Sequence, residues 1–214
     1  MRIRGKDIRS GYTLGDRRIL VARIEPTDAF AGISTVDLGQ GDRINLGVAG
    51  IMSRLPDVAA AVGGVTAAVR ETGGLPPRLM ELVRLRIAFH NQCRSCMSVR
   101  YQSAIDDGLT EDAVCSLERP AEAPDLTEAE RAALRFADLF ATNHLAIDDA
   151  VYGELRNHFS EDQLVALGLH CALCVGLGRL AATWHVVDDL PDEFRGDTDT
   201  PLAPWSASSV VASG

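Results

Sequence analysis

From Ile44 onward the sequence is punctuated almost entirely by helix starts and stops, with almost no sustained alternation of apolar and polar residues of the kind a half-buried strand requires. That pattern excludes a sheet-dominated fold and predicts an all-α chain. Pro56 stops a first helix running from about Ile44 to Leu55, and Gly73-Gly74 closes a second, Ala-rich helix from Asp57 to about Arg70. Pro76 and Pro77 suit the start of a third, in which Leu79, Leu82, Val83, Leu85, Ile87 and Ala88 form a broad apolar face before Asn91 interrupts it. A further helix is expected from near Cys93, through Met97, Tyr101, Ala104 and Ile105, to Gly108. Thr110 to Leu117 reads as a short helix and Pro120 to Asp125 as a loop. Thr127 with Glu130 forms a capping box that opens a helix to about Thr142, and Asp148 starts another. Ser160 with Gln163 is a second capping box, opening a long apolar helix that reaches about His185. Leu79-Met80-Glu81-Leu82 and Leu164-Val165-Ala166-Leu167 each follow a helix start, which predicts helical hairpins packed face to face, each with one strongly apolar helix.

Composition narrows the function classes. A chain of 214 residues with 46% hydrophobic and 24% charged residues has enough apolar content for a globular core and is not of disordered composition. The formal net charge of −9 gives nucleic-acid binding no general electrostatic support. The exception is Met1 to Arg23, where seven basic residues meet only Asp7 and Asp16. Interrupted by acids and turn residues and lacking an apolar core, that segment reads as an arm and not as a signal or transit peptide. The expected organisation is an N-terminal arm over 1–43 that can wrap a neighbouring subunit, a helical domain over 44–190, and a polar, mobile tail over 191–214. The longest uncharged run, Gln163 to Gly178, falls short of the roughly 20 residues that span a bilayer, so no membrane segment is expected. Five cysteines without an export signal point to a reducing, cytoplasmic compartment, where paired cysteines are more often catalytic or metal-binding than structural.

Cys93-Arg94-Ser95-Cys96 is the leading chemical candidate. Two intervening residues allow a disulfide when the first cysteine sits at or before a helix N-terminus, and the same position lowers a thiol pKa through unpaired backbone N–H groups. Arg94 and Arg100 add positive charge. The competing reading is two buried cysteines or half of a zinc site. Glu81, twelve positions before Cys93, can face the thiols if the chain folds back at Asn91-Gln92, and there it can hold or relay a proton.

Glu81, eleven residues, then Cys93-x-x-Cys96, preceded by Gly74-Leu75-Pro76-Pro77-Arg78 and followed by Gly108-Leu109-Thr110, resembles the AhpD-like superfamily of alkylhydroperoxidase D proteins and carboxymuconolactone decarboxylases. The resemblance covers about Ile44 to Leu190. It implies an AhpD-like helical bundle, assembly as a homotrimer or hexamer, and a dithiol that cycles to the disulfide while reducing peroxides or disulfides. It further implies Cys96 as the peroxide-attacking thiol, Cys93 as the more exposed resolving thiol, Glu81 in a proton relay, and re-reduction by a lipoyl or thioredoxin-like dithiol protein. Redox-active members carry a histidine four residues after the second cysteine, and here that position is Arg100. A guanidinium stays protonated and stabilises a thiolate only electrostatically. Arg100, one helical turn from Cys96, is expected to pair with Glu81, and His90 is the substitute base.

Cys171 and Cys174 lie mid-helix among apolar residues and read as core filling, as does Cys115. A four-cysteine zinc site joining both pairs is the rival. Gly176-Leu177-Gly178-Arg179-Leu180-Ala181 matches a dinucleotide fingerprint without the strand that fingerprint needs, so its glycines are expected to serve helix packing. His144 with Asp148, and His185 with Asp188 and Asp189, have metal-like residue types at helix ends, and no metal or cofactor is expected. Two alternatives to the redox enzyme stand: a carboxymuconolactone decarboxylase-like non-redox enzyme, and a non-enzymatic redox-responsive or zinc-holding oligomer.

Overall fold

A computed structural model describes residues 22–30, 33–196, 201–205 and 207–213. Among them the chain is all-α apart from one two-stranded sheet. The helices are α1 (Gln40–Met52), α2 (Pro56–Thr72), α3 (Pro77–Asn91), α4 (Arg94–Ser98), α5 (Gln102–Asp106), α6 (Glu111–Cys115), α7 (Glu128–Thr142), α8 (Asp149–Arg156), α9 (Glu161–Trp184) and α10 (Asp192–Arg195). The strands are β1 (Val99–Tyr101) and β2 (Val210–Ala212), paired in parallel with Val99 opposite Val210.

The local signals act as the sequence predicts. Pro56 and Pro77 each occupy the first turn of their helix, where a missing N–H removes no intrahelical bond. Thr127–Glu130 and Ser160–Gln163 both form complete capping boxes, and the Asp148 carboxylate accepts from the N–H groups of Ala150 and Val151. Gly74 takes φ +65, a left-handed turn between α2 and α3, and α2 packs against α9 and α1.

α3 is the central helix. Leu82, Val83, Leu85 and Ile87 are all at 0% exposure, and burying each side chain contributes about 1.5–3 kcal/mol. The helix packs between α7 and α9, so the two apolar helices expected from the sequence do meet. Its arginines lie close to this core, each with a carboxylate: Arg78 with Glu130, Arg84 with Glu81, Arg86 with Asp138. α9, with 24 residues, is long and apolar enough to cross a bilayer. In this fold it is a body helix lying against α2, α3, α7 and α8, with His170 and Cys171 buried.

Two expectations are corrected. The single helix from Cys93 to Gly108 is broken: α4 ends at Ser98, three residues extend as β1, and α5 resumes. The break is stabilised by β2, whose backbone satisfies the β1 peptide groups that leave the helix. The C-terminal segment is accordingly no free tail, since Ala212 is 1% exposed and Gly41 of α1 passes so close to Val211 that a Cβ would lie 2.3 Å from its carbonyl oxygen. The arm expected over 1–43 lies largely outside the described residues. Its described end folds onto its own chain, with the Arg23 N–H donating to the Trp184 carbonyl and the Thr27 N–H to that of Gly50.

Candidate functional site

α3 ends because Gln92 adopts the left-handed conformation, φ 50, and Cys93 follows in an extended conformation as the N-cap of α4. Cys93 thus stands outside the helix that carries Cys96, and the two are joined by a disulfide with Cα atoms 5.2 Å apart. Cys93 is wholly buried beside Ile51, Ala181 and Trp184, with its sulfur 3.5 Å from the Ser95 hydroxyl. Cys96 is half-buried and faces a cavity of about 320 Å³. The more exposed position expected for Cys93 therefore belongs to Cys96, because the wall made by α1 and the end of α9 closes over Cys93.

The cavity lies between α1, α2, α3 and α9. Val48, Met52, Leu173, Leu177 and Ala181 make it predominantly apolar. Gly178 forms its floor beneath the disulfide: a Cβ there would meet the Asn91 Nδ2 at 2.6 Å and the Cys96 sulfur at 4.0 Å. The glycine-rich run thus sits mid-helix and serves close approach at Gly178.

Arg84 connects this site to the core. Its Nε and Nη2 donate to the two carboxylate oxygens of Glu81 at 2.6 Å each, while Nη1 donates to the Cys96 carbonyl at 2.6 Å and Nη2 also to that of Val99 at 2.7 Å. Burial disfavours the guanidinium charge, but the adjoining Glu81 carboxylate more than offsets it and the net shift is upward. Glu81 is 3% exposed, also accepts from the Tyr101 N–H, and lines a second cavity and not the one holding Cys96. Its link to the cysteines passes through Arg84.

Arg100 does not pair with Glu81. Because β1 replaces the expected helix, Arg100 points away from Cys96, donating to the carbonyls of Met97, Val99 and Pro204 and pairing with Glu111. At 1% exposure its charge is disfavoured chiefly by burial, against which Glu111 acts. His90 is also elsewhere: its Nε2 lies 2.7 Å from Asp138 on α7, and it does not line the Cys96 cavity. Burial tends to raise the Asp138 pKa, but hydrogen bonds from His90 and Arg86 outweigh it and leave it below the usual range.

The imidazole on the cavity wall is His170 of α9. Its Nε2 lies 2.9 Å from the Met80 carbonyl, an acceptor, so Nε2 carries the proton and the neutral ring leaves Nδ1 as the lone-pair nitrogen. Burial first, and the nearby Arg70 and Arg84 charges, push its pKa down to about 4, although the Met80 bond opposes this. Cys174 stands one turn further on, its sulfur 3.7 Å from His170 Nε2 and 4.0 Å from Nδ1, and it too lines the cavity. Burial pushes the Cys174 thiol up to about 12. Of the expected core cysteines, Cys171 is fully buried, Cys174 is a wall residue, and Cys115 is exposed. The rival four-cysteine arrangement is not formed, since Cys93 and Cys96 are bonded to each other and Cys171 faces the core. Asp148 caps α8 and Asp189 pairs with Arg43.

The sequence reading missed His170, Cys174, Arg84 and Tyr101 as site residues. The available signal was the second Cys-x-x-Cys with a histidine directly before it, which an apolar helix concealed.

Residues 56–139 match the model of the carboxymuconolactone decarboxylase family. An uncharacterized protein of Mycobacterium tuberculosis is 42% identical over 114 residues, 52% of this chain and 39% of that protein. The chain thus spans about two fifths of the length of the curated relatives it matches first. Among solved structures, a putative antioxidant defence protein AhpD from Agrobacterium tumefaciens shares 26% identity with TM-score 0.54, over 62% of this chain and 91% of that one. An alkylhydroperoxidase AhpD core, a peroxidase-related protein from Ralstonia eutropha JMP134, shares the fold with TM-score 0.58 at 22% identity, over 69% and 78% of the two chains.

Proposed function

We propose that this chain, whose residues 56–139 match the carboxymuconolactone decarboxylase family and which is similar to an AhpD-type solved structure, is a dithiol oxidoreductase whose Cys93–Cys96 pair reduces peroxides. The observation that carries this reading is the pair itself, bonded at the entry of a helix with Cys96 on the wall of an apolar cavity. In the reduced protein the Cys96 thiolate attacks the terminal oxygen of a hydroperoxide, breaking the O–O bond and leaving a Cys96 sulfenic acid and an alkoxide. The alkoxide takes up the proton released from the Cys96 thiol and departs as an alcohol. The Cys93 sulfur then displaces hydroxide from the sulfenic acid, its own proton completing a water molecule. Two thiols and one peroxide thus give one disulfide, one alcohol and one water. A dithiol partner of lipoyl or thioredoxin-like type restores the thiols.

The chain's own groups act around that exchange. The α4 N-terminus favours thiolate at Cys96. Glu81 holds Arg84 in place, and His170, on the same cavity wall as Cys96, offers its Nδ1 lone pair for proton traffic. Exposed apolar side chains on α2 and α9, among them Val58, Val65, Val165 and Leu169, support assembly with further copies of the chain as a homo-oligomer. A reducing, cytoplasmic location fits three free cysteines.

The test is direct. Reduced protein is treated with one equivalent of cumene hydroperoxide, and a Cys93–Cys96 disulfide with a matching yield of cumyl alcohol is expected by mass spectrometry. Cys93→Ser should trap a dimedone-reactive sulfenic acid at Cys96. Peroxide consumption that survives Cys96→Ser overturns the reading.

A further inference from the structure

Arg70 closes α2 at the edge of the site, and its guanidinium carbon lies 4.7 Å from the centroid of the Tyr101 ring. Arg84 lies 5.0 Å from the same ring. Tyr101, Arg70, Arg84 and His170 together form the partition between the Cys96 cavity and a neighbouring one of about 460 Å³. The two arginines differ in one respect. Arg84 is neutralised by a bidentate carboxylate, whereas Arg70 makes no hydrogen bond or ion pair among the described residues and is held by its stack on Tyr101.

The charges around the Cys96 cavity therefore do not cancel. Among the described residues no carboxylate lines it, and its imidazole is neutral near pH 7 because burial depresses its pKa. The neighbouring cavity does carry carboxylates, Glu71 and Glu81, on its wall. Arg70 is exposed at the edge of this apolar cavity, so its guanidinium is open to an anion arriving from water. A guanidinium fork matches a carboxylate with two parallel hydrogen bonds, and stacking on an aromatic face reduces the side-chain entropy lost on binding.

We propose that Arg70 is the specificity-determining residue of this cavity, selecting substrates that carry one carboxylate at the end of an apolar body and presenting the opposite end of that body to Cys96. The inference rests on the reading of this cavity as the substrate site. The apolar body lies along Val48, Met52 and Leu177, and the carboxylate is exchanged from water to the Arg70 fork at the cavity edge.

The experiment measures binding alone, by isothermal titration of the wild-type protein with 4-isopropylbenzoate and with its neutral isostere 4-isopropylbenzamide. The acid should bind about tenfold tighter than the amide at low ionic strength, with the preference shrinking as salt is added. Arg70→Gln should remove that preference, weakening the acid about tenfold and changing the amide by less than about twofold, while Arg70→Lys should retain part of it. Equal binding of acid and amide to the wild type, equal loss of both in Arg70→Gln, or binding of neither overturns the proposal. Because neither probe contains a peroxide, a protein that fails to turn over hydroperoxides can still pass this test, and one that turns them over can still fail it.

Discussion

The chain contains the same spacing twice, Cys93-x-x-Cys96 and Cys171-x-x-Cys174, and the two occurrences have opposite fates. Cys93 precedes a helix and Cys96 lies in its first turn, so the extended backbone at Cys93 swings the two sulfurs together. Cys171 and Cys174 are both inside α9, where neither stands at a helix entry that swings the sulfurs together; Cys171 is fully buried and Cys174 also reaches the cavity wall. Burial also raises both of the latter thiols, the opposite of what a helix entry does. Spacing alone therefore does not make a bonded pair; the position of the first cysteine relative to the helix start does.

Function gives the sharpest way to break this contrast. Cys96→Ser should lower peroxide consumption by about 1,000-fold, the scale of losing an attacking group, while Cys174→Ala should stay within about twofold in a steady-state assay. A large loss in Cys174→Ala would erase the distinction between the pairs. The pH dependence of stability comes next. His170 has its folded pKa depressed to about 4, so the unfolded chain binds the extra proton first and stability falls as pH drops from 6.5 through 4, by about 3 kcal/mol. Urea titrations of wild type and His170→Gln should show that slope only in the wild type. The Cys174 thiol works in the other direction: its neutral form stabilises the fold below the ordinary thiol pKa, and that contribution disappears as pH climbs toward about 12.

Arg100→His sharpens the account of the first pair's surroundings. Placing a histidine at the position where the superfamily's redox members have one should give no gain in peroxidase rate, because Arg100 points away from Cys96. Stability should fall by about 2–3 kcal/mol in equilibrium denaturation, since buried carbonyls of Met97, Val99 and Pro204 lose a charged donor. A rise in rate with stability intact would contradict the placement. The smallest effect is expected at Gly178→Ala, where the added methyl displaces Asn91 from beneath Cys96, for about 1–2 kcal/mol and a measurable change in the alkylation rate of Cys96.

The helical body was legible because its boundaries are set by local chemistry: Pro77, Thr127 with Glu130, and Ser160 with Gln163 each act within one turn. The break after Ser98 was not, because the strand that replaces the helix is satisfied by Val210–Ala212, more than a hundred residues away, and no local preference encodes that partner. Arg100 was misplaced for the same reason, as its expected reach to Glu81 assumed an unbroken helix. Cys93 and Cys96 were legible from spacing and the turn before them. His170 and Cys174 were hidden because α9 is apolar on nearly every face, so periodicity could not separate its core side from its cavity side. Which carboxylate meets which arginine is likewise a property of packing, as Glu81 with Arg84 shows.

Arg84 has a last consequence. Its three guanidinium nitrogens are committed to Glu81 and to two backbone carbonyls, one of them that of Cys96 itself. The peptide carrying the Cys96 sulfur is thereby clamped from behind. Oxidation and reduction are left to rotation of the side chains, and the backbone pays little reorganisation in either direction. A protein built this way should give nearly superimposable main chains in its two redox states, and crystals of one should tolerate conversion to the other.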